Sequence, residues 1–262
     1  MSRLAMLVGL VAAVLIAAGV GAYLIIIQSP GGGGGGSAEK LVLGTCADFP
    51  PFESVNITTK KIEGFDIDIA KEIAAKANKT LQIVDMQFDG LISAVKVGSV
   101  DLVIAGMTIT PARAQQVDFS DPYFGGNQSV VVRSDQTGIT KWDDLNRSIK
   151  IGVQTDTTGD IWASNHSNIQ PLAQIVRYPK FTTAMLELDK GGLDAVIIDS
   201  APAKSYTSSH PSLKIAFEIP TKEKFGIAVK KGDSGLLKLV DDTLAYLRSS
   251  GKYDELFKKW FS

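Results

Sequence analysis

The chain has 262 residues, of which 45% are hydrophobic and 21% charged, and its formal net charge at pH 7 is −1. This length suffices for a sizeable core in one or two domains, and the lack of a basic run argues against nucleic acid as a partner. The single cysteine, Cys46, excludes an internal disulfide and a cysteine-based metal cluster. Neither His166 nor His210 has sequence neighbours that complete a metal or catalytic set, so we predict no metal, cofactor or catalytic residue.

The N-terminal segment is long and apolar, and residues 4–27 carry no charge. At about 1.5 Å per residue a helix of this length spans roughly 36 Å, enough to cross the ~30 Å hydrocarbon core of a bilayer. A cleaved signal peptide is the alternative, but its apolar core is usually ~7–15 residues long. We therefore predict that residues 1–28 form an uncleaved membrane anchor or, failing that, a signal segment that is removed.

Residues 29–38 contain six consecutive glycines and form a predicted flexible linker. Five of the six asparagines open Asn-x-Ser/Thr triplets, where chance would give about one. This excess indicates a glycosylated surface protein, although polar turns that enrich all three residue types are an alternative. We expect an extracytoplasmic protein, anchored at the cell surface or secreted if the segment is cleaved. The glycosylation candidates are Asn56, Asn78, Asn127, Asn146 and Asn165.

Strand and helix signals alternate after the linker. Hydrophobic periodicity predicts, in order, a strand at 40–45, a helix at 65–77, a strand at 81–84, a short helix at 91–97 and a strand at 101–105. Short strands that alternate with ~10-residue helices indicate parallel βαβ units, which bind ligands at the carboxyl ends of their strands.

The stretch 105–124 carries the strongest functional signal. The apolar strand ends at Gly106, where the backbone can approach a ligand because no Cβ intervenes. Thr110 and Pro111 then match the N-cap and the first position of a helix. The first turn of this helix contains Arg113, whose guanidinium suits a carboxylate. Backbone N–H groups and a guanidinium are thus expected to converge on a small anion.

The pattern restarts after residue 142. It predicts a strand at 149–153, a helix at 157–164, a strand at 175–177, a helix at 182–190, a strand at 193–198, an extended segment at 225–231 and closing helices at 236–248 and 253–261. Two α/β units in succession indicate two lobes that flank a cleft, a favoured place for small-ligand sites.

The second unit offers groups that complement Arg113. Thr157 or Thr158 can cap the helix that follows the strand end at 152–159. Asp199, at the next strand end, supplies a carboxylate. A cation and a carboxylate on opposite lobes are what a buried zwitterion requires, because each of its charges needs a partner.

Each of these residues also has a plainer interpretation. Arg113 could be a surface helix residue paired with an acid, and Asp199 could cap the helix that follows it. Phe49 and Phe88 could be core residues rather than walls of a binding site.

Seven motifs occur in the same order as in a known family: Gly44-Thr45 with Pro51-Phe52-Glu53, Gly64-Phe65-Asp66-Ile67-Asp68, Phe88-Asp89-Gly90-Leu91, 105–124, 152–159, 194–199 and 251–261. On these residues the chain resembles the polar amino-acid binding proteins of ABC importers, the extracellular solute-binding proteins of family 3. The resemblance covers residues 40–262.

The resemblance implies an α/β, two-lobed periplasmic-binding-protein fold of type II. Each lobe would be a mainly parallel sheet flanked by helices, with two hinge crossovers near 125–132 and 218–226. Residues 39–127 and 222–262 would form the first lobe and 128–221 the second. The implied function is capture of a polar L-amino acid and its delivery to an ABC permease by a monomer without enzymatic activity.

The resemblance also implies roles for individual residues. Arg113 would clamp the α-carboxylate, assisted by Thr108 and the Thr158 N–H. Asp199, with Thr108 and the Gly106 carbonyl, would bind the α-ammonium. Phe49 and Phe88 would sandwich the ligand side chain. The full predicted ligand-binding set is Cys46, Asp48, Phe49, Glu53, Phe88, Gly106, Met107, Thr108, Arg113, Gln154, Thr157, Thr158 and Asp199.

Two departures from the family pattern concern specificity. Cys46 stands where many members have Asp or another polar side chain, and Asp156 replaces a small residue. Asp48, Glu53 and Gln154 favour a basic or amide ligand, arginine or lysine ahead of glutamine, unless the acids are solvated loop residues.

Two other classes of function are compatible with this fold. An enzyme of the cyclohexadienyl-dehydratase type needs a general acid in the cleft, and the sequence offers no clear acid–base pair. A ligand-sensing ectodomain of a receptor needs an output domain, and only three residues precede the apolar stretch. Binding is therefore the preferred interpretation.

Overall fold

The computed structural model of the protein describes residues 39–145, 149–165 and 174–262. The predicted anchor, the glycine linker, Asn146 and His166 lie outside these ranges. Within them, no helix has the length and apolar character needed to cross a bilayer.

Strands and helices alternate along the described chain, as the periodicity predicts. The strands are β1 (Lys40–Thr45), β2 (Asp48–Phe49), β3 (Glu53–Val55), β4 (Ile62–Glu63), β5 (Thr80–Asp85), β6 (Leu102–Val103), β7 (Val117–Phe119), β8 (Phe124–Arg133), β9 (Lys150–Gln154), β10 (Gln174–Tyr178), β11 (Ala195–Asp199), β12 (Leu213–Phe225) and β13 (Ala228–Lys230). The helices are α1 (Phe65–Lys76), α2 (Leu91–Val97), α3 (Pro111–Ala114), α4 (Thr158–Asn165), α5 (Phe181–Asp189), α6 (Ser200–Ser209), α7 (Ser234–Ser249) and α8 (Lys252–Phe261).

Two five-stranded sheets define two lobes. The first lobe contains the sheet β5-β1-β6-β13-β7, and the second contains β10-β9-β11-β8-β12. In each sheet the first three strands, in the order given, are parallel to one another. The fourth strand pairs antiparallel with the third, and the fifth pairs antiparallel with the fourth. This antiparallel pairing was not predicted. The strands β8 and β12 come from the segments that cross between the lobes, β13 follows the second crossing, and β7 has only three residues.

Both sheets are buried on two faces. Successive side chains of a strand point to opposite faces, and Leu102 of β6 joins the apolar cluster beneath α1 while Val103 joins the cluster beneath α2. Ile198 and Ile197 of β11 divide between two clusters in the same way. This explains why both strands appear as uninterrupted apolar runs in the sequence.

The hinge consists of β8 and β12. They pair antiparallel from the Arg133–Leu213 end to the Phe124–Phe225 end, with register shifts between Ile215 and Phe217 and between Ile219 and Glu223. The two crossovers expected near 125–132 and 218–226 lie within these strands. Neither strand was predicted as such, and neither were the short strands β2, β3, β4 and β7, because short segments carry little periodicity. The helix α6 was expected only as the helix that follows Asp199.

Two of the predicted extended segments differ most in extent from the structure. β6 stops at Val103, short of the predicted Ala105, because the chain then bends toward Gly106 and the cleft. The extended segment at 225–231 is divided between the end of β12 and β13, since the Gly226 N–H leaves the ladder and donates to the Met107 carbonyl at 3.0 Å.

Candidate functional site

A narrow cavity lies between the two lobes. Its lining residues are Cys46, Asp48, Phe49, Glu53, Phe88, Ala105, Gly106, Thr108, Arg113, Gln154, Thr157, Thr158 and Asp199. Twelve of the thirteen predicted ligand-binding residues are thus brought together. Met107 is not among them: its side chain is fully buried in the apolar cluster with Leu91 and Val103, because extended backbone directs neighbouring side chains to opposite sides.

Gly106 forms the floor of the cavity and has a left-handed backbone (φ 53°). A Cβ at this position would lie 2.6 Å from Cε1 of Phe49. The Gly106 N–H donates to Oδ2 of Asp66 at 2.9 Å, and the same oxygen accepts the Tyr123 hydroxyl at 2.7 Å. Glycine at this strand end is therefore required by both conformation and space.

Arg113 projects from α3 into the cavity and is buried. Thr110 caps the helix by accepting the Arg113 N–H at 3.2 Å. The guanidinium donates from Nη1 to the Thr108 carbonyl and from Nη2 to the Asp156 carbonyl, each at 2.8 Å. Among the described residues these bonds use two of its five N–H donors. Its face lies 5.2 Å from the Phe88 ring centroid, so Arg113 is not a surface residue paired with an acid.

The loop before α4 supplies the second-lobe wall. Thr157 caps the helix by accepting the Asp160 N–H at 3.2 Å, and Thr158 is the first helical residue. Asp156 has a left-handed backbone (φ 61°), which explains why a small residue suits this position and why an aspartate is tolerated there. Its carbonyl is the group that faces Arg113.

Asp199 is buried at the end of β11. It precedes α6, but its side chain makes no capping hydrogen bond, and Oδ1 has no partner among the described residues. The helix-cap interpretation is therefore wrong. Burial, followed by the nearby Glu223 carboxylate, raises the pKa of Asp199 well above its ordinary value, while Gln128 and Arg113 oppose this shift.

Glu223 is a buried acid that sequence reasoning missed. It accepts the hydroxyls of Thr108 and Thr158 on Oε2, at 2.5 and 2.7 Å, and the amide of Gln128 on Oε1 at 2.9 Å. Burial lowers the pKa of Arg113, and the negative charge of Glu223 is the largest of the charges that oppose this shift. We refer to Thr108, Arg113, Thr158, Asp199 and Glu223 as the Arg113 cluster.

A second group of polar residues, the Cys46 cluster, comprises Cys46, Asp48, Glu53 and Gln154. The Cys46 thiol donates to Oδ1 of Asp48 at 3.1 Å, and the Gln154 amide donates to the sulfur at 3.5 Å. Burial, with the charges of Asp48 and Glu53, raises the pKa of Cys46, so it is present as a thiol. The cluster joins the two lobes, since Gln154 belongs to β9.

The acids of the Cys46 cluster are only partly compensated by neighbouring groups. Oδ2 of Asp48 and both carboxyl oxygens of Glu53 have no hydrogen-bond partner among the described residues. Burial and the neighbouring Asp66 raise the pKa of Glu53, and burial raises the pKa of Asp66 to about 6. Burial also raises the pKa of Asp48, although the Cys46 thiol, Lys180 and the first N–H groups of α5 oppose the shift. Within the described ranges, no group of three or more His, Cys, Asp or Glu residues is arranged to hold a metal ion.

The two predicted aromatic walls are placed differently. Phe49 is buried, stacked on Phe52 at 5.7 Å and edge-on to Phe181 of the second lobe at the same centroid distance. Phe88 is half-buried and covers the Arg113 guanidinium. Phe49 is therefore part of the core as well as of the cavity wall, and Phe88 orients the cation.

Four of the five candidate glycosylation sites lie among the described residues. Asn78 and Asn165 are exposed. Asn56 is half-buried and donates its amide to Oε1 of Glu63 at 2.7 Å, and Asn127 accepts the Lys222 N–H at 3.0 Å in the hinge.

Two lobes that enclose a charged cavity define a ligand-binding protein of the two-lobed periplasmic type. The family model for bacterial extracellular solute-binding proteins, family 3, matches residues 41–262, and the chain belongs to this family.

Named relatives agree with this assignment. A probable histidine-binding protein of Neisseria gonorrhoeae is 38% identical over 82% of this chain and 81% of its own length. The ABC transporter arginine-binding protein 1 of Escherichia coli K12 is 33% identical, with 86% and 92% covered. The crystal structure of a mutant of ArgBP from T. maritima is similar with a TM-score of 0.81 and 46% identity, covering 85% of this chain and 95% of that one.

Proposed function

We propose that the protein is the extracytoplasmic substrate-binding subunit of an ABC importer and captures a basic or amide L-amino acid between its lobes. The observation that carries this proposal is that Arg113 of the first lobe and Asp199 of the second line one cavity between the lobes. Both side chains are buried, and Asp199 retains an oxygen with no partner among the described residues. A carboxylate at Arg113 and an ammonium at Asp199 would complete the pairing that buried charges require.

The Cys46 cluster supports a cationic ligand side chain. Arg113 is the single arginine or lysine among the described residues that line the cavity, whereas Asp48, Glu53 and Asp199 all contribute carboxyl groups. A guanidinium or ammonium would meet the unpartnered oxygens of Asp48 and Glu53 and favour their ionised forms. We therefore expect arginine or lysine to bind more tightly than glutamine. Relatives named as histidine-, arginine- and glutamine-binding proteins support the basic or amide class of ligand.

Ligand capture would couple to hinge closure. Groups from both lobes line the cavity, so a ligand that contacts Arg113 and Asp199 together stabilises the closed state in preference to the open one. The closed protein would then deliver its ligand to a membrane permease. The uncharged stretch 4–27, the glycine linker and the five Asn-x-Ser/Thr triplets support a glycosylated, membrane-tethered protein at the cell surface.

A thermal-shift screen of the twenty amino acids on the purified full-length protein tests the ligand class, because a ligand that binds only the folded state raises the melting temperature. We expect arginine or lysine to give the largest shift. Arg113→Ala should then weaken binding of the selected amino acid by at least about 100-fold in isothermal titration, since it leaves the ligand carboxylate without its cation.

Arg248→Ala is the matched control, because Arg248 is exposed on α7, outside the cavity, and should leave the affinity unchanged. Mass spectrometry of the released ligand should recover it unaltered. Unchanged affinity in Arg113→Ala contradicts the carboxylate role, and a change in ligand mass contradicts a pure binding function.

A further inference from the structure

Glu223 occupies an unusual place for a carboxylate. On β12, side chains alternate between buried and exposed over the last residues, with Ile219, Glu223 and Phe225 buried and Lys222 and Lys224 exposed. Glu223 thus takes a core position at the hinge, directly between the two lobes. An acid there requires hydrogen-bond donors, because a buried charge without partners is costly.

The donors come from both lobes and from the hinge itself. Thr108 lies on the first-lobe loop after Gly106, Thr158 begins α4 of the second lobe, and Gln128 belongs to β8. The two hydroxyls share Oε2, and the amide takes Oε1. The same amide also donates to the Thr158 hydroxyl oxygen at 3.2 Å.

These contacts determine what the two threonines can offer a ligand. A hydroxyl has one proton to donate and two lone pairs with which to accept, whereas an ionised carboxylate only accepts. Each hydroxyl donates its hydrogen bond to Glu223. The Thr108 oxygen therefore keeps two lone pairs free, and the Thr158 oxygen keeps one, because the other accepts from Gln128. Both threonines line the cavity, so where their hydroxyl oxygens face it they accept hydrogen bonds and do not donate them.

We propose that Glu223 is a positioning residue that fixes the direction of the ligand, by committing the Thr108 and Thr158 hydroxyls to accept from an ammonium group. The inference rests on the proposed amino-acid binding. It removes one of the two roles that the family resemblance implies for Thr108: the hydroxyl serves the α-ammonium together with Asp199, and the carboxylate is left to Arg113. A reversed ligand would place its carboxylate against lone pairs and be rejected.

Glu223→Gln tests this role, because glutamine keeps the shape but replaces one acceptor oxygen with an NH₂ donor. With the NH₂ in place of Oε2, which both hydroxyls share, the two threonines would accept from residue 223 and could turn their protons toward the cavity. The probes are the L-amino acid selected by the screen and the same molecule without its α-amino group, which for arginine is 5-guanidinopentanoate. We expect Glu223→Gln to weaken the amino acid about 10-fold or more and the desamino analogue less than about 3-fold.

Two further variants separate orientation of the hydroxyls from other effects. Glu218→Gln is the matched control on the same strand, since Glu218 faces outward with Lys204 at 3.5 Å, and it should change neither affinity. In a Thr108→Val background, Glu223→Gln should lose a substantial part of its effect, because one of the hydroxyls through which it acts is gone. An undiminished effect in that background shows that Glu223 acts through its charge alone and overturns the inference.

The failure of this inference is distinguishable from failure of the proposed function. If the wild-type protein binds no amino acid, the proposed function fails. If the wild type binds but Glu223→Gln weakens the amino acid and its desamino analogue equally, Glu223 has a merely structural role, and only the positioning proposal is overturned.

Discussion

The Arg113 cluster and the Cys46 cluster line the same cavity but differ in charge balance. The Arg113 cluster combines one cation with two carboxylates and connects them through Thr108, Thr158 and Gln128. In the Cys46 cluster a thiol and an amide accompany two acids, and the nearby cation, Lys180, is partly exposed and paired with Asp85 at 3.5 Å. The Arg113 cluster is therefore largely organised before a ligand arrives, with one oxygen of Asp199 unpartnered among the described residues, whereas three carboxyl oxygens of the Cys46 cluster are unpartnered there.

This difference separates recognition of the amino-acid backbone from recognition of its side chain. The groups that every α-amino acid carries would meet the organised end, where preorganised partners favour affinity. The variable side chain would meet the end with unmatched acids, where burial of the wrong group is penalised and discrimination results. Variants in the Arg113 cluster should therefore affect all ligands, and variants in the Cys46 cluster should affect them selectively.

After Arg113→Ala, the largest effect on ligand affinity is expected for Asp199→Asn. The variant removes the carboxylate that would pair with the α-ammonium, and loss of one partner of a buried charge pair costs about 2–5 kcal/mol. Isothermal titration should show a loss of at least about 30-fold that is similar for arginine, lysine and glutamine. A loss confined to the basic ligands would show that Asp199 recognises the ligand side chain, and would contradict the assignment of the Arg113 cluster to the amino-acid backbone.

The second-largest effect is expected on protein stability and concerns Asp66. This buried acid accepts the Gly106 N–H and lies next to Glu53. Folding raises its pKa from 3.8 to about 6, so between these values the native state binds protons that the unfolded chain has released. The stability of the ligand-free protein should therefore fall as pH rises from about 4 to 6.5, by an Asp66 contribution of about 3 kcal/mol.

Denaturant unfolding across this pH range, with wild type and Asp66→Asn compared at each pH, measures that contribution. The asparagine oxygen can still accept from the Gly106 N–H and the Tyr123 hydroxyl, so the variant should lose the pH-dependent part while keeping these bonds. Parallel profiles for the two proteins would show that Asp66 does not titrate on folding. Glu53 and Asp199 have raised pKa values and add slopes of the same sign.

The smallest effect is expected for Glu53→Gln, which should change selectivity more than affinity. An amide cannot pair ionically with a guanidinium, so binding of arginine should weaken about 10-fold, whereas binding of glutamine should change little. Competition titrations of arginine against glutamine measure the ratio directly. Glu63→Gln is the control: Glu63 lies on neighbouring β4, is half-buried and does not line the cavity. Equal losses for both ligands would remove Glu53 from side-chain recognition.

Local signals predicted much of the fold and of the site. The helix α2 has the bounds that periodicity predicts, and Thr110 caps α3 as its position before Pro111 indicates. Gly106 and Asp199 were placed at strand ends by the apolar runs before them, and parallel strands bring their carboxyl ends to one edge. These features depend on neighbours a few residues away, so one sequence is enough to identify them.

The sequence by itself therefore determined the α/β alternation, the strand ends and most of the residues that line the cavity. Only the tertiary structure decided which polar groups meet. Glu223 bonds to a threonine 115 residues away along the chain, and Asp66 reaches Gly106 across 40 residues. Such pairings, like the inward burial of Met107, depend on how the two sheets and the hinge are stacked. Residue type and local spacing do not encode the partner of a buried acid, because that partner is chosen by packing between distant segments.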